Sequence, residues 1–471
     1  MSRRWLFLSV VAVVIASAVG VAVWTASADE TAAPVPDNTA VAHSGECPTG
    51  PESAKCASTT SAPASPSPTT TTAPPTTTVT SVPPAAADCG RPAGASPVVN
   101  VTDVNVGVPV TGYGREGDTE PLPMAIAATP LGDSWVAWLG TDSRVYLGKL
   151  DCADRLVGTP TSFEGIDLQD VQADRDGGVV LLTRRGECHD GPLCGGASSP
   201  CNTMWMIRFD NSGQQVWARQ VTNLDERRGG YDDGARFIWW YQHHGRLAFD
   251  GTNYAAYFGV AITVRNGNCV DIHEGDRMQV VDANGSLVPG HPDGFEVGCS
   301  HSWTARVVWD PRTGHYVRVC ATDNGCRIAQ PNPYRTVAAG TCDGTLFGGD
   351  LVLASTPGYW TAWSQGGQAR LSHFTNGQAD NTITTAARSS HPHLVGYGTG
   401  RMLLAWETGT SMAAQVYDAG SGKTVGSQFT INARDHDYQA FKAYADGSVA
   451  YPAAGGNTTS IRIARVMPLG S

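Results

Sequence analysis

Gly358-Tyr359-Trp360-Thr361-Ala362-Trp363 decides the fold: a glycine that accepts positive φ, then a run of aromatic and β-branched residues suited to a strand leaving a tight turn. The figure recurs as Gly132-Asp133-Ser134-Trp135-Val136-Ala137-Trp138, Gly177-Gly178-Val179-Val180-Leu181-Leu182 and Gly251-Thr252-Asn253-Tyr254-Ala255-Ala256-Tyr257. It returns as Gly314-His315-Tyr316-Val317-Arg318-Val319, Gly400-Arg401-Met402-Leu403-Leu404-Ala405-Trp406 and Gly447-Ser448-Val449-Ala450-Tyr451. Successive glycines are 45, 74, 63, 44, 42 and 47 residues apart. A four-stranded blade needs about 40 to 50 residues, so four intervals fit and two carry surplus chain.

Each unit continues into a third strand, such as Met204-Trp205-Met206-Ile207-Arg208-Phe209-Asp210, and usually a fourth, such as Gln215-Val216-Trp217-Ala218-Arg219-Gln220-Val221. The seventh unit runs out of chain after three. Pro97-Val98-Val99-Asn100-Val101 can supply its outer strand by pairing with Ser460 to Val466, which closes the ring and removes the open edge. The expectation is an all-β, seven-bladed β-propeller over residues 89–471; six or eight blades, or two β-sandwiches, are the competing arrangements.

Composition agrees: 54 Gly and 13 Trp with only 16% charged residues describe short strands and tight turns. Acidic residues outnumber basic ones 43 to 32, for a net charge of −11, and no Lys/Arg block is present to neutralise a phosphate backbone. Nucleic acid is therefore not an expected partner. Before the repeats, Ser2-Arg3-Arg4 leads an apolar run from Trp5 to Trp24 and Ala26-Ser27-Ala28, the pattern of an export signal over residues 1–28. It suits cleavage after Ala28, and equally a retained anchor, the only membrane contact the sequence suggests. Residues 29–88 read as a disordered Thr/Ser/Pro-rich linker, an extended stalk with the composition of O-glycosylated segments. Twelve cysteines behind such a start predict disulfides, with Cys47 and Cys56 closing a small loop of their own. Neither a CxxC pair nor zinc spacing occurs, so no metal is expected.

In an antiparallel blade with strands A to D, the A–B and C–D turns lie on one face, and the B–C turns and D-to-A links on the other. The surplus chain falls at residues 184–202, 223–244, 265–276 and 290–303, which parity places on the second face. Cys188, Cys194, Cys201, Cys269, Cys299, Cys320, Cys326 and Cys342 lie in or beside these loops or their counterparts in unit four. Disulfide-stapled loops on a rigid ring are where a scaffold carries a site. Tyr241, His243 and His244 lead into the inner strand of unit three; His301, Trp303 and Arg306 into that of unit four; His391-Pro392-His393 and His436-Asp437 into those of units six and seven. The segment His273-Glu274-Gly275-Asp276-Arg277 reads as a loop of the same face.

Imidazole beside guanidinium suits an acidic or hydroxyl-rich ligand. The candidate ligand contacts are Arg306, His243, His273, Glu274, Asp276 and Trp303, and the candidate acid–base groups are His244, His301 and Tyr241. Plainer readings stand beside these: a His or Asp opening an inner strand serves equally well to bond the next blade, and Arg306 suits an inter-blade ion pair as well as it suits a ligand. Asp174-Arg175-Asp176-Gly177 lacks the spacing and distal Glu of a calcium loop and reads as a hairpin turn.

The run His273-Glu274-Gly275-Asp276-Arg277-Met278-Gln279-Val280-Val281-Asp282, followed by Cys299-Ser300-His301-Ser302, resembles a family of uncharacterised secreted bacterial β-propellers that share His-Glu-Gly-Asp leading to Cys-Ser-His-Ser. The resemblance covers residues 243–323; it implies the fold and the site face and brings no activity. Phe209-Asp210-Asn211-Ser212-Gly213-Gln214-Gln215-Val216-Trp217 resembles a blade of quinoprotein propellers, but it appears once where those repeat it in nearly every blade, so no cofactor is expected. The leading functional expectation is an extracellular or surface-anchored propeller that binds a carbohydrate or other envelope ligand in a His/Arg/aromatic funnel. A polysaccharide lyase using His244 or His301 as base, Tyr241 as acid and Arg306 as carboxylate clamp is the enzymatic alternative. A protein-interaction platform is the third.

Overall fold

The computed structural model describes residues 89–470, apart from 112–123, 189–200, 223–234, 238–244, 267, 296–297, 300–301, 386–388 and 434–438. Within them lie seven sheets, each antiparallel throughout, and no helix. The inner A strands are Met124–Ala128, Asp170–Ala173, Arg246–Phe249, Ser302–Asp310, Phe347–Leu353, Ser390–Gly396 and Lys442–Ala443. Six sheets follow the simple order A-B-C-D, which is the seven-bladed propeller expected from the glycine spacing.

The ring closes as the unfinished last unit requires. Val99–Asn105 is the outer strand of the seventh sheet and pairs with Ser460–Val466 over a continuous register from Val99↔Val466 to Asn105↔Ser460. The seam to unit one is then crosslinked. Cys89, just before that strand, is bonded to Cys152 in the C–D turn of unit one. Arg91 pairs with Asp446 at 2.6 Å, and the buried Arg465 pairs with Asp154 while lying over the Tyr444 ring, 4.2 Å from its centroid.

The hairpin turns explain the recurrent Asp and Gly. Asp174 accepts the backbone N–H of Asp176 and of Gly178, both at 2.9 Å, with Gly177 at φ 83°. Its carboxylate therefore closes a turn, as the sequence suggested, and Asp151, Asp210 and Asp282 repeat the device.

Unit three departs from the pattern, and here the sequence reading needs correcting. Residues 265–276, read as a loop, continue a ladder: Tyr254–Asn266 pairs with Cys269–Val281 without a break from Tyr254↔Val281 to Asn266↔Cys269. Val260, Ile262, Thr263 and Val264 are β-branched and keep the hairpin extended past its inner strand, which stops at Arg246↔Tyr257. His273, Glu274 and Asp276 thus stand on a strand. Among the described residues this unit has no regular fourth strand; only the bridges Met278↔Phe295 and Val281↔Leu287 flank its third. A short strand, Ala235–Phe237, pairs with the extension instead.

Core packing sits between neighbouring sheets, as where Trp135, Leu181, Ile207 and Phe209 join units one and two in one buried cluster. At unit five the approach is closer than side chains allow. A Cβ on Gly348 would strike Thr304 Oγ1 of unit four, and one on Gly349 would strike the Pro392 carbonyl oxygen of unit six. The neighbour of Gly349 is backbone and cannot rotate away, so Gly349→Ala should cost about 2 kcal/mol or more in urea unfolding; an unchanged midpoint would show that the interface yields freely.

Candidate functional site

Directly after these two glycines comes Asp350, four residues before Ala354, which opens the A–B hairpin of unit five. The same count back from the hairpins at Asp174, Asp250, Asp310 and Tyr397 lands on Asp170, Arg246, Arg306 and His393. Five consecutive inner strands therefore deliver an ionisable side chain at one level of the channel, and all five residues are buried.

Their partners show that they meet across the axis. Arg306 Nε is 2.9 Å from Asp350 Oδ1, and Arg246 Nη2 is 3.8 Å from the same oxygen. Arg246 Nη2 also donates to the carbonyl of Gln439 at 3.3 Å. Units three, five and seven are not neighbours, so these contacts run through the centre. His393 Nδ1 lies 3.6 Å from Asp350 Oδ2, with its ring held edge-on by Phe441 and Tyr451. On the other side Lys442 of unit seven pairs with Asp170 of unit two at 2.9 Å. The two aspartates also bind the next blade along: Asp170 accepts the N–H of Leu247 at 2.9 Å, and Asp350 that of Leu394 at 3.3 Å.

Burial alone would raise the Asp350 carboxyl; the His393 hydrogen bond and the Arg306 and Arg246 guanidiniums overcome it and hold the group well below the usual carboxylate range. At neutral pH Asp350 is ionised. Among the described residues, Arg246, Arg306 and Lys442 stand against Asp170 and Asp350 at this level of the channel.

Of the residues singled out from sequence, Arg306 belongs to this ring and is engaged by Asp350, the inter-blade pairing weighed above. Removing Arg306 would therefore disturb the ring as well as any ligand. Tyr241, His243, His244 and His301 lie outside the described residues. His273, Glu274 and Trp303 are described only as backbone, the first two in Cys269–Val281 and the third in Ser302–Asp310. Asp276 is buried two strands out from the channel, where it accepts the Tyr257 hydroxyl at 2.5 Å. Its carboxylate and the sulfurs of Cys299 and Cys320 lie within 4.8 Å of one another. Those sulfurs are joined in a disulfide and have no thiolate to offer a cation, so the cluster is packing. Asp170, Asp350 and Lys442 were missed by the sequence reading; for the two aspartates the signal was their fixed distance from the hairpin.

No protein-family model matches the sequence, and no curated protein matches it. Solved structures with a similar course of the chain include the WD40 domain of Toxoplasma gondii coronin, at 10% identity and TM-score 0.45, covering 82% of this chain and 89% of that one. The Dos1 propeller is similar at 10% identity and TM-score 0.40, over 74% and 96%. A Dyadobacter fermentans protein of unknown function is similar at 11% identity and TM-score 0.40, over 74% and 94%. At these scores the propeller assignment stands on the strand pairing of this chain.

Proposed function

We propose that the propeller is a binding module that captures an anionic envelope ligand, a carboxylated glycan, at the channel mouth on the face where the inner strands begin. The observation that carries this reading is the ring, in which the cationic side chains of Arg246, Arg306 and Lys442 gather with Asp170 and Asp350 at one level of the channel. A charged ring in a low-dielectric channel projects its field outward through the mouth, where it attracts an anion. His244, His301 and Trp303, which the sequence assigns to the segments entering those strands, would make the direct contacts, and Arg306 would act through the field it shares with Asp350. The bonds Cys89–Cys152, Cys299–Cys320 and Cys326–Cys342 support residence in an oxidising compartment outside the cytoplasm. The resemblance to secreted bacterial propellers points the same way.

Calorimetric titration with an oligogalacturonate and with the matching neutral oligogalactan tests the proposal. The acid should bind at least about tenfold more tightly, and its affinity should fall as salt rises. His244→Ala and His301→Ala should weaken it without moving the melting temperature. Equal affinity for the two glycans, or no binding of either, overturns the reading. New ultraviolet absorbance from an unsaturated uronate during the titration would assign the site to a lyase instead.

A further inference from the structure

His391 stands where the backbone resists it. Among the described residues, five that are not glycine have positive φ. Ser143, Asp154, Cys326 and Asn332 lie in turns between strands, whereas His391, at φ 45°, lies inside the inner strand Ser390–Gly396 of unit six. The left-handed region is unfavourable for such a side chain, and the proline that follows steers the residue before it to extended backbone.

The register slips at the same place, between Ser390↔Glu407 and His393↔Ala405. Pro392 has no N–H to give, which accounts for a missing ladder bond. It does not account for a left-handed histidine. The inner strands of units four and five also slip near this end, between Ser302 and Thr304 and between Gly348 and Leu351, without any positive φ among the described residues.

The strained backbone fixes the place of a side chain. The His391 imidazole is 34% exposed, and its Nδ1 lies 2.8 Å from Oε2 of Glu407, itself 35% exposed at the end of the second strand Arg401–Glu407. The Ser390 hydroxyl donates to the same oxygen at 3.3 Å. The imidazole also meets the half-buried Phe347 of unit five edge to face, with centroids 4.9 Å apart. Phe347 comes three residues before Asp350, and His391 two before His393, so the cluster stands just outside the buried ring on the mouth side.

Imidazole, carboxylate and hydroxyl offer both donors and acceptors, and Phe347 adds apolar surface beside them. This set matches a sugar, whose hydroxyls donate and accept and whose C–H face is apolar. A plain polyanion would instead meet Glu407 as a like charge. Bulges that re-aim a side chain, and strain held for its sake, concentrate at binding and catalytic sites.

We infer that the rim between units five and six is a sugar-hydroxyl subsite with His391 and Glu407 as polar contacts and Phe347 as apolar wall, a reading that rests on the glycan capture proposed above. The cations of the ring attract the acid; this cluster recognises the sugar body. Calorimetric titration with an oligogalacturonate and with an oligoglutamate of equal charge separates the two. Wild type should bind the sugar acid at least about tenfold more tightly. His391→Gly relieves the backbone and removes the imidazole. It should weaken the oligogalacturonate at least about fivefold, leave the oligoglutamate unchanged and keep or raise the melting temperature. His391→Asn, which accepts the same backbone and keeps a donor and an acceptor, should retain part of the affinity. Equal binding of the two polyanions by wild type would remove the subsite and leave charge capture standing, and binding of neither would remove both. Full affinity in His391→Gly, or a lowered melting temperature there, overturns the inference, since His391 would then serve the fold.

Discussion

Replacing Asp350 with Ala is expected to cost about 3–5 kcal/mol of folding stability, because it leaves the Arg306 and Arg246 guanidiniums buried in the channel without their shared counter-charge. The double variant Asp350→Ala/Arg306→Met should lose less than the sum of the two single changes, since it removes an unpaired charge as well as creating a gap. The pH dependence has a definite sign. The folded carboxyl sits below its unfolded value, so the stabilisation is fully present above the unfolded value of about 4 and is lost as the pH falls through the folded one. Urea unfolding should show the gap between wild type and Asp350→Ala largest at neutral pH and narrowing below about pH 4. A gap that stays constant to pH 2 would mean that Asp350 acts by shape and not by charge.

Deleting residues 89–105 is expected to abolish cooperative unfolding altogether. The deletion removes the outer strand from Ser460–Val466, the Cys89–Cys152 bond and the Arg91–Asp446 pair in one step. It exposes a long sheet edge containing Ile461 and Ile463, and such edges recruit further strands, so aggregation should accompany the loss. Breaking only the disulfide, with Cys89→Ser/Cys152→Ser, should be milder. It frees a loop whose ends are 63 residues apart, which chain entropy values at about 4 kcal/mol. Calorimetry should give one sharp transition at lower temperature for the double serine variant and none for the deletion. A sharp transition in the deletion variant would show that six blades and an open seventh suffice.

The blades were legible because each second strand announces itself twice, by a glycine with positive φ and by the run of aromatic or aliphatic residues behind it. The closing strand could be inferred from a shortage, since a seventh unit with three strands must borrow a fourth; the pairing begins at Val99 and extends to Asn105, further than Val101. The extended hairpin of unit three was misread because Glu274, Gly275 and Asp276 look like a turn in isolation. Their partners Ala261, Val260 and Gly259 decide the matter through a ladder that no local reading of residues 273–277 contains. The channel ring was hidden for a related reason. Asp350 comes after two glycines and resembles a turn residue, while Asp170 opens a strand in a segment rich in Asp and Gln. Only alignment of all units on the hairpin that ends the inner strand reveals the common level, and that alignment brings Arg306 into the company of Asp350.

The clasp at the seam also decides where a pull would be felt. Tension arriving from the N-terminal side reaches Cys89 before it reaches Val99–Asn105, and at Cys89 the chain divides. One branch is the covalent bond into the C–D turn of unit one; the other is the backbone leading to a strand held by hydrogen bonds. The covalent branch is the stiffer and takes the load, so the ladder between Val99–Asn105 and Ser460–Val466 is spared from unzipping. A propeller pulled from its N-terminal side would yield first in the outer hairpin of unit one, and only after reduction at the seam itself.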